Sequence, residues 1–382
     1  MELYPDPVEL RHILHQNPET SLKEFNTTKL IIESIKSISK DLKILTPLNT
    51  GLICEYRVNS GSYLLFRADI DALPITEKSS SQFSSKNGFM HACGHDVHTA
   101  ILYGLIIEAL KQNIKKNFLF LFQPAEEAGI GAKMILDSSI LSNYKVDYAF
   151  ALHVTDEFPY GEIATRKGTL FSSSVELDIN LTGKSSHIVT PDKGISVIPG
   201  FIDFVSKVRE LEQVKSGGIF FGIGKVSIGE ARNILPGNAE IEATIRGGSL
   251  LDIQNFLESF SSIIDSFSVK SGINVDLKKG ATCPEVIIDD HLFDKLKDPL
   301  SLKFPFLVCS RKLTAEDFGY FSKIYPSFYF WLGSREGEDA FGLHSPYFYP
   351  SDSIIDNGIK AFLECINILT LTSLCISATT QA

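Results

Sequence analysis

A chain of 382 residues exceeds the usual size of a single hydrophobic core, so two domains are expected. Its hydrophobic fraction of 44% and charged fraction of 21% are those of an ordinary globular protein. A net charge of -10 with no basic tract argues against nucleic acid as a partner, and no apolar run of about 18 residues argues for a membrane span.

The opening MELYPDPVEL has acidic residues and no apolar h-region, so no signal peptide is expected there. The cysteines, Cys54, Cys93, Cys283, Cys309, Cys365 and Cys375, are scattered without framework spacing. That pattern suits a reducing cytoplasm, where one thiol binds metal and the others fill core positions.

In chain order, apolar Val8, Ile13 and Leu14 predict a first helix, interrupted near Pro18, and Leu30, Ile31 and Ile35 a second over 26–38. Strands are expected from Leu52 and from Tyr63, then a helix over 99–110 and a buried strand over 117–123. A helix over 131–136 and a strand over 148–153 follow. This alternation predicts an α/β fold around a mostly parallel sheet.

From Phe171 the texture changes. SVELDINLTG, IFFGIGKVSIG, AEIEATIRG and INVDLKKG read as strands, and the stretches beginning ISVIPG and LDIQNF as helices. The order β-α-β-β-α-β predicts a ferredoxin-like domain of roughly 115 residues. It is expected as an insertion over 171–284, with 1–170 and 285–382 forming one discontinuous domain that carries the chemistry. The closing CISATTQA is expected to fray.

The densest chemistry is MHACGHDVHTA, which puts His91, Cys93, His95 and His98 close together in a chain with six cysteines and nine histidines. Glu126 and Glu127 lie side by side between Pro124 and Gly129, while His153 and His344 stand alone. Thiolate, imidazole and carboxylate suit a borderline-soft divalent metal such as zinc, and a neighbouring free carboxylate suits a proton shuttle. Cys93 and His95 form a C-x-H pair on a segment expected to be irregular, with His98 in support. Spacing alone leaves open which glutamate binds metal. It also leaves open whether Asp69 and Asp71 orient histidines or ligate. Asp69 and Asp71, the glutamates and His153 are all expected just beyond strand ends, the usual place for an active site in an open α/β sheet. With one glutamate, the cysteine and histidines make five ligands. These are too many for one catalytic zinc with an open position, but right for two metals about 3.5–4 Å apart.

These residues stand in a longer series of blocks: RHILHQNPETSLKEF at Arg11, TGL at Thr50, RADIDALPI at Arg67, MHACGHDVHT at Met90, FQPAEEAGIGA at Phe122, ALH at Ala151, GKSSH at Gly183, ARNILP at Ala231, AEDFGY at Ala315 and GLHSPYF at Gly342. In that series the chain resembles the amidohydrolases of the M20 metallopeptidase family, over almost its whole length. The resemblance implies metal ligands at Cys93, His95, Glu127, His153 and His344, for two ions per subunit of zinc, manganese, cobalt or nickel. It implies a general acid/base at Glu126, and Asp71 is counted with the catalytic group. It further implies that His187 of the smaller domain stabilises the oxyanion at a partner subunit's site, which requires a homodimer or a tetramer built of dimers. Around His187 the usual glycine- and alanine-rich sequence is replaced by SSHIVTPDKG. Asn233 and Arg246 match positions near the substrate carboxylate or the domain interface.

The implied substrate is a small N-acylated amino acid. GEIATRKGTLF at Gly161 and EDFGYFSKIYPSFYFWLG at Glu316 resemble the subgroup that removes acetyl from N-acetyl-L,L-diaminopimelate in lysine synthesis. The alternatives are a broader N-acyl-L-amino-acid amidohydrolase and a catalytically inactive dimeric binding protein. No G-x-S-x-G motif offers a serine nucleophile.

Overall fold

The structure is a computed structural model that describes residues 4–214 and 218–379. Its contacts divide the chain into two compact units. The first comprises the described residues up to Leu170, Ile287–Ser310, and those from Tyr320 onward. The second comprises Phe171–Val286 and Arg311–Gly319. Residues 311–319 were expected with the first domain. They group with the second, where the Ser172 N–H donates to the Lys312 carbonyl at 2.9 Å.

The first unit is built on an eight-stranded, largely parallel sheet. Its strands run in the order Lys43–Leu45, Leu52–Tyr56, Asn117–Gln123, Tyr63–Asp69, Val146–Pro159, Ser327–Arg335, Ile163–Thr165 and Phe306–Val308. Every residue of Tyr63–Asp69 and Asn117–Gln123 is buried, as expected of strands covered on both faces. Helix His95–Lys111 is correspondingly apolar all round rather than striped. It packs against Pro7–Gln16 and Ile354–Thr379. Two glycines allow the second of these approaches: a Cβ on Gly104 would lie 2.3 Å from Ile359, and one on Gly358 would lie 2.4 Å from Ile101.

Three expectations need correction. Helix 95–111 begins four residues before the expected start, so His95 is its first residue and Cys93 lies in the turn before it, separated only by Gly94. Gly94 has φ +83°, and a side chain there would meet Val154 at 2.5 Å. His153 does not follow a strand end. It lies in the middle of Val146–Pro159, a strand extended because Ser327–Arg335 pairs beside it as far as Pro159. The tail expected to fray from Cys375 is helical as far as Thr379, and the expectation for 380–382 lies outside the described residues.

In the second unit the elements follow the order β-α-β-β-α-β. The strands Phe220–Ile228, Asn238–Gly247, Ser173–Thr182 and Asn274–Cys283 pair in that spatial order, all antiparallel. Asn238–Gly247 alternates exposed and buried residues along much of its length, so one face carries the core. Helices Val197–Val214 and Leu250–Ser271 close that face with Phe204, Phe256 and Phe260 over Ile179 and Ile245.

Candidate metal centre

Cys93, His95, Glu126, Glu127, His153 and His344 converge within the first unit. The Cys93 Sγ lies 3.3 Å from His153 Nε2 and 3.4 Å from His344 Nε2. His344 Nε2 is 3.7 Å from one oxygen of Glu127, and His95 Nε2 is 3.8 Å from the other. His95 Nε2 also lies 3.9 Å from Glu126. One triad of donor atoms joins His95, Glu126 and Glu127, and two more join Cys93 with His95 and His153, and Cys93 with Glu127 and His344. Cys93 is common to the latter two.

Buried atoms test whether cations fit. His95 Nε2 and Glu127 Oε1 are both buried without a hydrogen-bond partner. Leaving such groups unpaired is costly unless something else completes them. Both point into the cluster, and a thiolate, three imidazoles and a carboxylate form an appropriate donor set for divalent transition metals. The charge balance is equally unsettled. Burial pushes Glu127 up to about 7 against the pull of His95. Burial would lower His95, yet Asp69, Asp71 and Glu127 hold it up at about 10. His153 is held well below the ordinary imidazole range, chiefly by burial.

The remaining polar groups aim the ligands. His95 Nδ1 lies 2.9 Å from the Asp71 carbonyl, and His153 Nδ1 lies 2.7 Å from that of Val154, which leaves both Nε2 atoms facing the cluster. His98 Nε2 accepts the Val154 N–H at 2.9 Å, so its Nδ1 donates to Asp69 at 2.6 Å and neither nitrogen is free for metal. Arg67 donates to the same carboxylate at 2.7 Å. Although burial opposes it, the charges of His95 and Arg67 and the hydrogen bond from His98 hold Asp69 well below the usual carboxylate range. The Asp71 carboxylate accepts the backbone N–H groups of Glu126 and Glu127 at 3.2 and 3.0 Å. Asp71 therefore braces the glutamate pair, while Asp69, held by Arg67 and His98, also makes a further donor group with His95 and His98.

His344 has φ +64°, a left-handed conformation that a non-glycine residue adopts at a cost. Its N–H donates to the Ala92 carbonyl at 2.9 Å, and Asp156 accepts the N–H groups of Phe341 and Gly342 at 2.6 and 2.9 Å. A second network secures the other ligand segment. Asp96, beside His95, is held by Arg11 at 3.1 Å and His15 at 3.0 Å, and Arg11 also reaches Asp352 at 2.5 Å. The block at Arg11 was visible in the sequence, but nothing in its spacing assigned these residues to the site.

His187, Asn233 and Arg246 belong to the second unit. His187 is exposed on the two-residue strand Ser186–His187, which pairs with Ile234–Leu235. Asn233 is exposed, and its carbonyl accepts the Ile188 N–H at 3.0 Å. Arg246 is half-buried on strand Asn238–Gly247 and lies 3.6 Å from Glu176.

A largely parallel sheet with thiolate, imidazole and carboxylate donors converging beside it defines a metallohydrolase. The chain belongs to peptidase family M20/M25/M40, whose family model matches residues 65–368, and it is a hydrolytic enzyme of the amidohydrolase kind. It is 33% identical over 356 residues to an N-acetyldiaminopimelate deacetylase of Exiguobacterium sibiricum, covering 91% of this chain and 95% of that one. The Lactobacillus acidophilus protein of the same name is 33% identical over 373 residues, covering 93% and 95%. Among solved structures, the Bacillus subtilis YXEP protein, described as a dinuclear metal binding peptidase from the M20 family, superposes with a TM-score of 0.81. It is 28% identical and covers 96% of this chain and 98% of its own.

Proposed function

We propose that this enzyme removes the acetyl group from N-acetyl-L,L-diaminopimelate using two divalent ions of zinc, manganese, cobalt or nickel. The convergence of Cys93, His95, Glu127, His153 and His344 beside Glu126 carries the hydrolytic part of this reading. The near full-length relatives named for that deacetylation support the substrate.

Cys93, His95, Glu127, His153 and His344 would hold the ions, with Cys93 common to two of the triads. When bound, such ions supply Lewis acidity, which polarises an amide carbonyl and makes water acidic near neutrality. The carboxylate of Glu126 takes the proton of the attacking water and returns it to the amide nitrogen as the amine leaves. Asp71 keeps Glu126 in place through its backbone N–H. His187 donates to the developing oxyanion at the site of a partner subunit, while Asn233 and Arg246 receive the substrate carboxylate.

That division of labour needs a homodimer, from which a tetramer of dimers can be built. Exposed Ile198 and Ile202 on helix 197–214, with Phe220 and Val226 on the edge strand, support such an interface. A cytoplasmic location is in keeping with Cys54, Cys93, Cys283, Cys309 and Cys365 all being buried thiols outside any disulfide. Among the described residues, no helix is long and apolar enough to cross a membrane.

The substrate is tested by initial rates on N-acetyl-L,L-diaminopimelate, N-acetylcysteine and hippurate with the manganese-loaded enzyme. At least about a tenfold preference in kcat/KM for the first is expected, equal to ~1.4 kcal/mol of transition-state discrimination. A smaller preference would favour a broader N-acyl-amino-acid amidohydrolase, a reading that the unusual SSHIVTPDKG around His187 would then explain.

A further inference from the structure

Glu24 is completely buried at the start of helix Phe25–Ile38, about a hundred residues from the glutamate pair in sequence. Its Oε1 accepts the Ala125 N–H at 2.9 Å. The next two N–H groups, of Glu126 and Glu127, go to the two oxygens of Asp71. Three consecutive amides are thus each held by a carboxylate oxygen. Ser21 donates to Asp71 at 2.6 Å, so the segment that carries Glu24 braces the second carboxylate as well.

Ala125 has φ +55°, and it is the residue immediately before Glu126. Alanine is disfavoured in this left-handed region because its Cβ crowds the following carbonyl. Released from its acceptor, it would relax to a negative φ, a rotation on the order of 100°, and swing the peptide that leads into Glu126. A buried carboxylate is itself an expensive acceptor. Burial holds Glu24 above the usual carboxylate range, and the charge of Asp71 adds to that shift. An interaction so costly on both sides persists where the surrounding structure requires that turn.

We propose that Glu24 is a positioning residue for Glu126: by accepting the Ala125 N–H it holds the left-handed turn that aims the proton-carrying carboxylate. This rests on the reading of Glu126 as acid/base, so Glu126→Gln is measured in parallel.

The experiment compares Glu24→Ala, Glu24→Gln and the double variant Glu24→Ala/Ala125→Gly as manganese-loaded full chains, with folding checked by thermal melting. Misplacing a catalytic group by about 1 Å costs up to about 100-fold, so Glu24→Ala should lower kcat by at least about tenfold with KM within about twofold. Glu24→Gln keeps an acceptor oxygen and should stay within about threefold of wild type. Glycine enters the left-handed region freely, so Ala125→Gly in the Glu24→Ala background should recover at least about threefold in kcat. Manganese affinity of the metal-free protein, measured by calorimetry, should change by less than about threefold because Asp71 still holds Glu127.

A folded Glu24→Ala enzyme with near wild-type kcat overturns the proposal. So does Glu24→Gln falling as far as Glu24→Ala, failure of the glycine to recover activity, or a loss of manganese affinity as large as the loss of kcat. Should Glu24→Ala not fold, Glu24→Met, similar in shape but without a strong acceptor, is read by the same criteria. An active Glu126→Gln enzyme would instead defeat the reading of the site itself.

Discussion

The two sheets of this molecule solve different problems with the same strand geometry. In the first unit the central strands are buried along their whole length, and polar groups survive there only by pairing, as Arg67 does with Asp69 and Gln123. In the second unit the strands bury one face and leave the other polar, with Glu240, Glu242 and Asp178 exposed. Catalysis needs low dielectric and fixed dipoles, which the first sheet provides at its edge. The second leaves Phe220 and Val226 exposed on its edge strand beside ionic groups such as Glu242. Burial on both faces goes with the clustered ligand set in the first unit, and burial on one face with the polar outer surface of the second.

That contrast can be broken most forcefully at Glu126. Glu126→Gln keeps the shape of the side chain and removes the proton acceptor, so kcat should fall by about 10²–10⁴-fold at unchanged metal content. Single-turnover kinetics alongside metal analysis check this, and retention of more than about a tenth of kcat would move the base elsewhere.

The second unit is examined through His187. Loss of one oxyanion donor costs about 10²–10³-fold, so His187→Ala should be nearly inactive despite its distance in sequence from every ligand. Hybrids of Glu126→Gln and His187→Ala subunits should regain activity, because one of their two sites receives both intact groups. Verified hybrids as inactive as their parents would return His187 to its own chain or remove it from catalysis.

The smallest effect sharpens what burial does in the first unit. Burial lowers His15, but Asp96 and Glu77 outweigh it and hold its pKa up at about 9. A pKa raised above the unfolded value means that the folded state holds the proton more tightly. The stabilisation is therefore complete below about pH 6.5 and is lost as pH rises through about 9, on the order of 3 kcal/mol. Denaturant unfolding of wild type and His15→Gln across that window should show the gap between them narrowing with pH. Parallel curves would mean that His15 is not protonated in the fold.

Much of this was legible because patterning and chemistry coincide. FLFLF reads as a buried strand, and two acids only three residues beyond it are costly there unless something uses them. His153 was harder to place, since the extent of its strand is set by Ser327–Arg335, a partner far along the chain. The role of Glu24, within the block at Arg11, was unreadable for the same reason: a glutamate between Lys23 and Phe25 looks like an ordinary helix start until Ala125 is seen donating to it. Local signals report local partners, and the residues that aim this site are held by distant ones.

The position of Ser327–Arg335 also carries a consequence for how the protein is made. That strand lies between Val146–Pro159 and Ile163–Thr165, two segments that are neighbours in sequence. The sheet therefore cannot close until residue 335 has been synthesised, well after the whole antiparallel unit has emerged. Pairings at such separation are slow to form, and until then two sheet edges stay open to other chains. Cys93 and His344, 251 residues apart, meet only after that step, so a nascent chain presents a half-built thiol and imidazole site before it presents an enzyme.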